Sequence, residues 1–370
     1  MKKRRPPERR RRPEPEQAGP SQPRAPSAER VLIEYFPVRP EGRVLCTSMG
    51  RGQLAAAIAA DAPDAQVACW FLDAYAADET RDWYSLDAEL PQPPDVLCEA
   101  DFPDQELDLV AIPISHRGEA ELVRELLQQA CLRLKPGGVV VAGVDNPNDR
   151  WLHGELKTLF SRIRRDPRHH GVVYSGVRMD PPKRIRNFRS DFAFRDQGRL
   201  VQAVSRPGVF SHRELDLGAR ALLEACDVAP GERVLDIGCG SGTVGLALSL
   251  RQPDVVLHGI DSNIRAVECL QAGAALNKLV EATVEHTAEG RIAQPGTFDL
   301  AVGNPPYFSQ YRIAEIFVQA ARTALKPGGR VAMVTKKPEW FEARLGQLFD
   351  GVETQTRRSY SIVSARQRGG

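Results

Sequence analysis

The chain repeats itself. The segment GRVLCTSMGRGQLAAAIAADAPDAQVACWFLD (42–73) returns about 190 residues later as ERVLDIGCGSGTVGLALSLRQPDVVLHGID (232–261). Each copy opens with a short apolar strand and passes through a Gly-rich turn into a helix. A Pro-Asp turn then leads to a second strand that ends in Asp. Further on, LDLVAIPIS (107–115) matches FDLAVGNPPY (298–307), and CLRLKPGGVVVAGVDNP (131–147) matches RTALKPGGRVAMVTKKP (322–338). A near-constant offset over so long a stretch marks a duplicated domain, not a solenoid unit. Strand and helix alternate in each copy, which predicts parallel sheets with helices on both faces.

In the second copy Ile313, Ile316, Phe317, Ala320, Ala321 and Ala324 fall on one helical stripe. The Lys-Pro-Gly-Gly that follows reads as a helix stop, with glycine as a left-handed cap. Arg330–Thr335 reads as a buried strand. Val352–Arg358 and Tyr360–Arg366 alternate and nearly touch, which predicts a closing antiparallel hairpin. The expected fold class is α/β, with two tandem Rossmann-like domains, each a mostly parallel sheet closed by that hairpin. The expected divisions are an unstructured basic tail over 1–30, a first domain over 31–161, a basic junction over 162–206 and a second domain over 207–370.

Charge is unevenly placed. Residues 1–30 hold ten Lys/Arg against four Glu, and seven prolines. Such a segment cannot bury a core. The Arg162–Arg206 stretch is also strongly basic, yet the whole chain carries only +2, so the remainder is acidic. Basic segments on an acidic body point to a polyanion, most simply nucleic acid. The most apolar run, Gly138–Val144, is far shorter than the roughly 18–20 residues of a membrane span. The N-terminal charges are not followed by an apolar stretch, so no secretory signal is expected. Seven cysteines without a CxxC pair predict free thiols in a reducing cytoplasm and no zinc site.

Two motifs in the second copy carry chemistry. In VLDIGCGSGTVG (234–245) a strand ends in Asp236, and Gly238, Gly240 and Gly242 follow at alternate positions. Glycines there permit positive φ and let the backbone approach a ligand at a helix N-terminus. Asp261 ends the next strand, where a carboxylate can accept hydrogen bonds from both hydroxyls of a ribose. That much fits any nucleoside cofactor, including NAD. Asp236 argues against NAD, because it would repel a pyrophosphate, and suits the ammonium of S-adenosylmethionine. The second motif, Asn304-Pro305-Pro306-Tyr307, follows an apolar strand. The Asn304 side-chain carbonyl and the Pro305 backbone carbonyl can both accept from one amino group. Tyr307 offers a flat face for a base. Two acceptors can turn the lone pair of a conjugated amine toward a methyl sulfonium.

With these residues in register, the second copy resembles class I S-adenosylmethionine-dependent methyltransferases, and its NPPY tetrad resembles that of amino-group N-methyltransferases. The segment from Pro207 to Leu223 and the degenerate first copy resemble the bacterial ribosomal RNA guanine-N2 methyltransferases of small- and large-subunit type. The resemblance implies that Asp236, Gly238, Gly240, Gly242, Asp261 and Ser262 hold S-adenosylmethionine, with Phe210 nearby and Ala288 in the region that contacts adenine. It implies that Asn304, Pro305, Pro306 and Tyr307 hold the target amine. It also implies a cytoplasmic monomer acting on ribosomal RNA or a ribosomal subunit through the basic tail and the Arg162–Arg206 segment. This chain has Tyr307 and Phe308 where the family usually has Phe and His. NPPY also serves adenine-N6 and protein glutamine-N5 methyltransferases, which remain alternatives, as does a non-catalytic RNA-binding protein. The first copy has Cys46 in place of Asp236, Ser48 in place of Gly238 and Ile-Pro-Ile-Ser in place of the tetrad, and is expected to be silent.

Overall fold

The computed structural model describes residues 24–87, 90, 92–306 and 311–369. The tail up to residue 23 and Tyr307 lie outside the described residues. The first unit runs α1 (Ser27–Glu34), β1 (Arg43–Thr47), α2 (Gln53–Asp61), β2 (Gln66–Phe71), α3 (Ala74–Leu86), β3 (Asp95–Cys98), β4 (Leu107–Ile114), α4 (Ala120–Arg133), β5 (Leu134–Val144), α5 (Trp151–Lys157), β6 (Ser161–Arg168) and β7 (Gly171–Val177). A hairpin of β8 (Ser190–Asp196) and β9 (Arg199–Ser205) follows. The second unit runs α6 (Leu217–Ala225), β10 (Arg233–Ile237), α7 (Thr243–Arg251), β11 (Val256–Asp261), α8 (Ile264–Leu276), β12 (Ala282–His286), β13 (Phe298–Gly303), α9 (Arg312–Ala324), β14 (Leu325–Thr335), α10 (Pro338–Leu348), β15 (Asp350–Arg357) and β16 (Tyr360–Arg366).

The two large sheets have the same order, β3-β2-β1-β4-β5-β7-β6 and β12-β11-β10-β13-β14-β16-β15. In each, five parallel strands are closed by an antiparallel pair. This is the expected fold. The strand order reverses between β10 and β13, so the loops leaving their C-terminal ends diverge and open a crevice. On α9 the buried face is Ala314, Phe317, Val318, Ala320, Ala321 and Ala324, packed against Leu235, Ile237 and Val331. Each large apolar side chain so buried contributes roughly 1.5–3 kcal/mol. Ile313 and Ile316 sit at the margin of this face.

Two expectations change. The glycines after α9 do not cap it. Leu325 is already extended (φ −73, ψ 135), and Gly328 takes φ +77 within β14. There the register slips between Phe298↔Leu325 and Leu300↔Arg330, so the glycine serves a strand irregularity. The domain limits also move. The tail expected to reach residue 30 gives way to α1 at Ser27, with Glu29, Val31 and Leu32 buried. The basic junction is not a separate segment. Its first part is the β6–β7 pair that completes the first sheet. Its second part packs on the other unit, where Val201 and Ala203 join the core. Buried Arg251 fixes it by pairing with both oxygens of Asp196 (2.7 and 3.0 Å).

The units meet through equivalent loops. Ala74 N–H donates to the Ser262 carbonyl (2.7 Å), and Ile264 N–H donates to the Leu72 carbonyl (3.0 Å). These bonds are reciprocal between matching positions of the two copies, so the copies cross about a local twofold. Beside them Arg265 is fully buried. It donates to Glu125 (2.6 Å) and to the carbonyls of Ala100 and Pro207 (both 2.7 Å). Arg206 joins Asp101, Glu125 and Glu268. A buried ion pair adds little net stability, but removing one partner strands the other. Arg265→Ala is therefore expected to cost about 3–5 kcal/mol in chemical denaturation of the full chain. A loss of about 1 kcal/mol or less, the size of an exposed pair, would show the network to be dispensable.

Candidate functional site

After Arg233, β10 is apolar except for Asp236, which is buried where the chain turns into the glycine loop. Gly238, Gly240 and Gly242 all take positive φ (66°, 54° and 75°). The loop is tied to β11 by Gly238 N–H and Cys239 N–H, which both donate to the Ile260 carbonyl (2.8 and 3.1 Å). A Cβ at Gly238 would run into the Phe317 ring, and one at Gly242 would press on Leu270. A Cβ at Gly240 would meet only the Phe210 carbonyl at 3.9 Å. Two glycines are thus needed for packing, and the middle one leaves open room. The cavity over it is lined by Phe210, Asp216, Asp236, Gly238, Thr243 and Asn304, among others.

Two acids hold the glycine loop, Asp236 lining the cavity and Asp261 behind Gly240. Asp236 Oδ2 accepts from Gly245 N–H (2.8 Å), which fastens the strand end to α7. Asp261 Oδ2 accepts from Gly240 N–H and Oδ1 from Asn263 N–H, both at 2.8 Å. Each carboxylate oxygen retains a further lone pair for a ligand. Burial pushes the Asp236 carboxyl up to about 7, with the negative Asp261 adding to the rise against the Gly245 N–H. Burial likewise pushes Asp261 up to about 6, opposed by its two N–H donors. The protein has placed two carboxylates where their charge is poorly compensated, a setting suited to a cationic or hydroxyl-bearing ligand.

Asn304 leaves the end of β13, beside the end of β14 through the Gly303↔Met333 pair. It lines the same cavity as the glycine loop. Pro305 is buried and Pro306 half-buried, which fixes the turn. Phe210 is 66% exposed, with its ring at the cavity mouth. Ala288 follows β12 and is half-buried, one residue after Thr287, whose N–H donates to the Asp261 carbonyl (3.0 Å). Ser262 departs from its expected part. Its hydroxyl donates to Asp73 of the first unit (2.6 Å), so it serves the contact between copies.

Two site features escaped the sequence reading. Asp216 caps α6 and also accepts from Asn304 Nδ2 (3.0 Å). Its N-cap position was visible in the sequence, but its link to Asn304 was not. Glu29 explains the first copy. It is fully buried, and its Oε1 accepts from the Ser48 hydroxyl (2.6 Å), Met49 N–H (2.6 Å) and Gly50 N–H (3.0 Å). A carboxylate of the chain itself thus fills the loop that matches 236–242. Glu29 lay in a stretch read as tail, so no sequence signal marked it.

The raised acids fix a pH dependence. A group whose pKa is raised by folding stabilises fully below its unfolded pKa, and that contribution is lost as pH rises through the folded value. For Asp236 and Asp261 this loss runs from about pH 4 to about pH 7. Asp236→Asn keeps an oxygen for Gly245 N–H and removes the buried charge. The variant is expected to gain roughly 2–4 kcal/mol over wild type between pH 5 and pH 8 in the ligand-free state. Thermal unfolding across that range measures it, and parallel pH curves would refute the assignment.

Residues 201–364 match the family model "Methyltransferase small domain". The "Ribosomal RNA small subunit methyltransferase C" of Shewanella loihica is 28% identical over 266 residues, 70% of this chain and 77% of that protein. The "Ribosomal RNA large subunit methyltransferase G" of Streptomyces coelicolor is 32% identical over 62% of this chain and 65% of that protein. The small-subunit protein of Pseudomonas aeruginosa is 36% identical, but the match spans 50% of its length. Among solved structures, the T. thermophilus 16S rRNA N2 guanine methyltransferase in complex with AdoMet and guanosine superimposes with TM-score 0.73 and 21% identity, over 92% of both chains. That agreement shows the same two-unit fold from end to end. With an intact glycine loop and an Asn-Pro-Pro turn, residues 201–364 are similar to the methyltransferase small domain, and the chain is similar to the ribosomal RNA methyltransferases named above.

Proposed function

We propose that this chain methylates the exocyclic N2 amine of a guanine in ribosomal RNA, with S-adenosylmethionine as donor. The observation that carries this reading is the meeting of Asn304 with the glycine loop in one cavity, in the copy that kept both. The relatives that modify ribosomal RNA, and the neighbour bound to AdoMet and guanosine, support the substrate class. Bound S-adenosylmethionine supplies an electrophilic methyl group. Asp236 and the loop of Gly238, Gly240 and Gly242 would hold its amino-acid end, and Asp261 its ribose. Phe210 and Ala288 would flank it. Ser262 contributes through its backbone position alone.

The remaining steps belong to the acceptor. The Asn304 side-chain oxygen and the Pro305 carbonyl would accept the two N–H bonds of the amine, which aims its lone pair at the methyl carbon. Tyr307 would stack on the base. Once the methyl is transferred, the nitrogen carries an extra proton that is acidic enough to leave to water, so no strong base is required. A guanine must leave its stack to enter, which favours an unpaired or partly assembled substrate.

The RNA reading has support outside the cavity. Lys336 and Lys337 follow β14, Arg357 ends β15 and Arg358 opens the turn to β16, all exposed, with Arg358 also donating to Glu224 (2.7 Å). The Thr335↔Ser361 pair places them at the same sheet edge as Asn304. In the former junction Arg162, Arg164, Lys183, Arg184 and Arg186 are exposed, whereas Arg206 is spent on acids within the fold. These surfaces, with the basic tail, are the proposed phosphate contacts. Among the described residues no helix is long and apolar enough to cross a membrane. The proposed place of action is the cytoplasm, on a monomer.

Calorimetry is expected to give one S-adenosylmethionine site per chain, lost with Asp236→Ala and Gly240→Val together. Asn304→Ala is expected to cut kcat by about a hundredfold or more with cofactor affinity unchanged, because Asn304 acts on the transition state. Mass spectrometry of digested rRNA should show N2-methylguanosine from wild type only. N6-methyladenosine, or methylated glutamine in a protein, would replace the guanine reading. The pair Lys336→Glu and Lys337→Glu should lower the slope of log affinity against log salt by about 1–2, and an unchanged slope would clear this edge of a role.

A further inference from the structure

We propose that Asp216 is a positioning residue for methyl transfer, holding Asn304 so that its side-chain oxygen is the group left for the acceptor amine. The inference rests on the role given to Asn304 above. An asparagine amide presents an oxygen at one end and an NH2 at the other, nearly equal in size, so hydrogen bonding alone decides its orientation. Asp216 Oδ2 accepts from Asn304 Nδ2 at 3.0 Å. A carboxylate cannot donate, so only the NH2 can lie on this side. Among the described residues the Asn304 oxygen takes no hydrogen bond. Flipped, the amide would turn N–H groups toward an amine and repel it.

Asp216 Oδ2 also accepts from Gly218 N–H (2.7 Å) and Ala219 N–H (3.1 Å), so the first turn of α6 fixes the carboxylate before it meets Asn304. Gly218 belongs to the arrangement. A Cβ there would lie 2.8 Å from Asp216 Oδ2 and 3.3 Å from Asn304 Oδ1. Charge adds to geometry. The acceptor nitrogen becomes positive as the methyl bond forms, and a carboxylate behind the amide polarises its oxygen in the favourable sense.

The first copy supplies an internal control. By helix start and strand register, the positions equivalent to Asp216, Gly218 and Asn304 are Pro26, Ala28 and Pro113, one residue beyond the Ile112 that the sequence alignment set against Asn304. Its α1 forms with Pro26 at the N-cap and no side-chain cap bond. A cap is therefore not required for the fold at this place. The acid, the glycine and the asparagine are absent together from the copy that also lacks an intact cofactor loop.

The test separates capping from positioning. Serine caps a helix about as well as aspartate but is too short to reach Asn304, whereas asparagine both caps and offers an oxygen at the same reach. Asp216→Ser is expected to lower kcat on RNA about ten- to hundredfold, with Tm and S-adenosylmethionine affinity close to wild type. Asp216→Asn should restore most of that loss. In an Asn304→Ala background, Asp216→Ser should cost almost nothing more, because the two act as one unit. Full kcat in Asp216→Ser, or additive losses in the double variant, would overturn the proposal. A spectroscopic arm needs no substrate. One Asn304 side-chain amide proton should exchange slowly and resonate downfield in wild type, and lose both properties in Asp216→Ser. An unchanged signal would likewise overturn it. An inactive wild type with the signal present would count against the RNA substrate and not against Asp216.

Discussion

The reciprocal backbone pair between the loops after β2 and β11 is the constraint on which the rest of the molecule depends. Ala74 to Ser262 and Ile264 to Leu72 join the matching turns that lead from the second strand into the next helix of each copy. In the second copy the residue before this contact is Asp261, which holds Gly240 N–H. The first copy therefore braces the segment that shapes the glycine loop. Its Asp73 caps α3 through Ala76 N–H and receives the Ser262 hydroxyl. By strand register Asp73 matches Asn263, the N-cap of α8, and the position matching Asp261 is Phe71.

The two copies show how one fold can carry two electrostatic solutions. In the first, Glu29 reaches the loop from α1 and satisfies its N–H groups from within. The loop is complete and needs no ligand. In the second, burial raises both Asp236 and Asp261, and a neighbouring carboxylate adds to each rise, Asp261 for Asp236 and Asp73 for Asp261. That copy keeps an unrelieved demand for a cation and for hydroxyl donors. The difference between the two loops lies in where a carboxylate enters, since the strand order is the same.

Interdomain packing rests on ions as well as on apolar area. Arg265 is fully buried among Glu125, Asp101 and two carbonyls, and Arg206 extends the network to Glu268. Such a network fixes geometry more than it adds net stability. It holds α8, the helix that follows Asp261, against the first unit. The segment around Asp261 is therefore braced, while Phe210 and Leu217 on the far side of the glycine loop's cavity stand exposed.

Much of this was legible in the chain alone. The duplication, the parallel sheets, the closing hairpins, the glycine loop and the Asn-Pro-Pro turn follow from periodicity and from residues whose backbone freedom is unusual. Those are local properties, and the sequence determines them without help. What only the tertiary structure decided are pairings between distant segments. Glu29 in the silent loop, Ser262 on Asp73, Asp216 behind Asn304 and Gly328 in a strand irregularity each depend on which side chain a neighbouring element brings near. The basic stretch from Arg162 to Arg206 makes the same point. Its charge was countable, but its division between a sheet edge, a hairpin and a buried ion pair was not. Charge and hydrogen-bonding capacity are written in single residues; whether they face water, a ligand or each other is set by the fold.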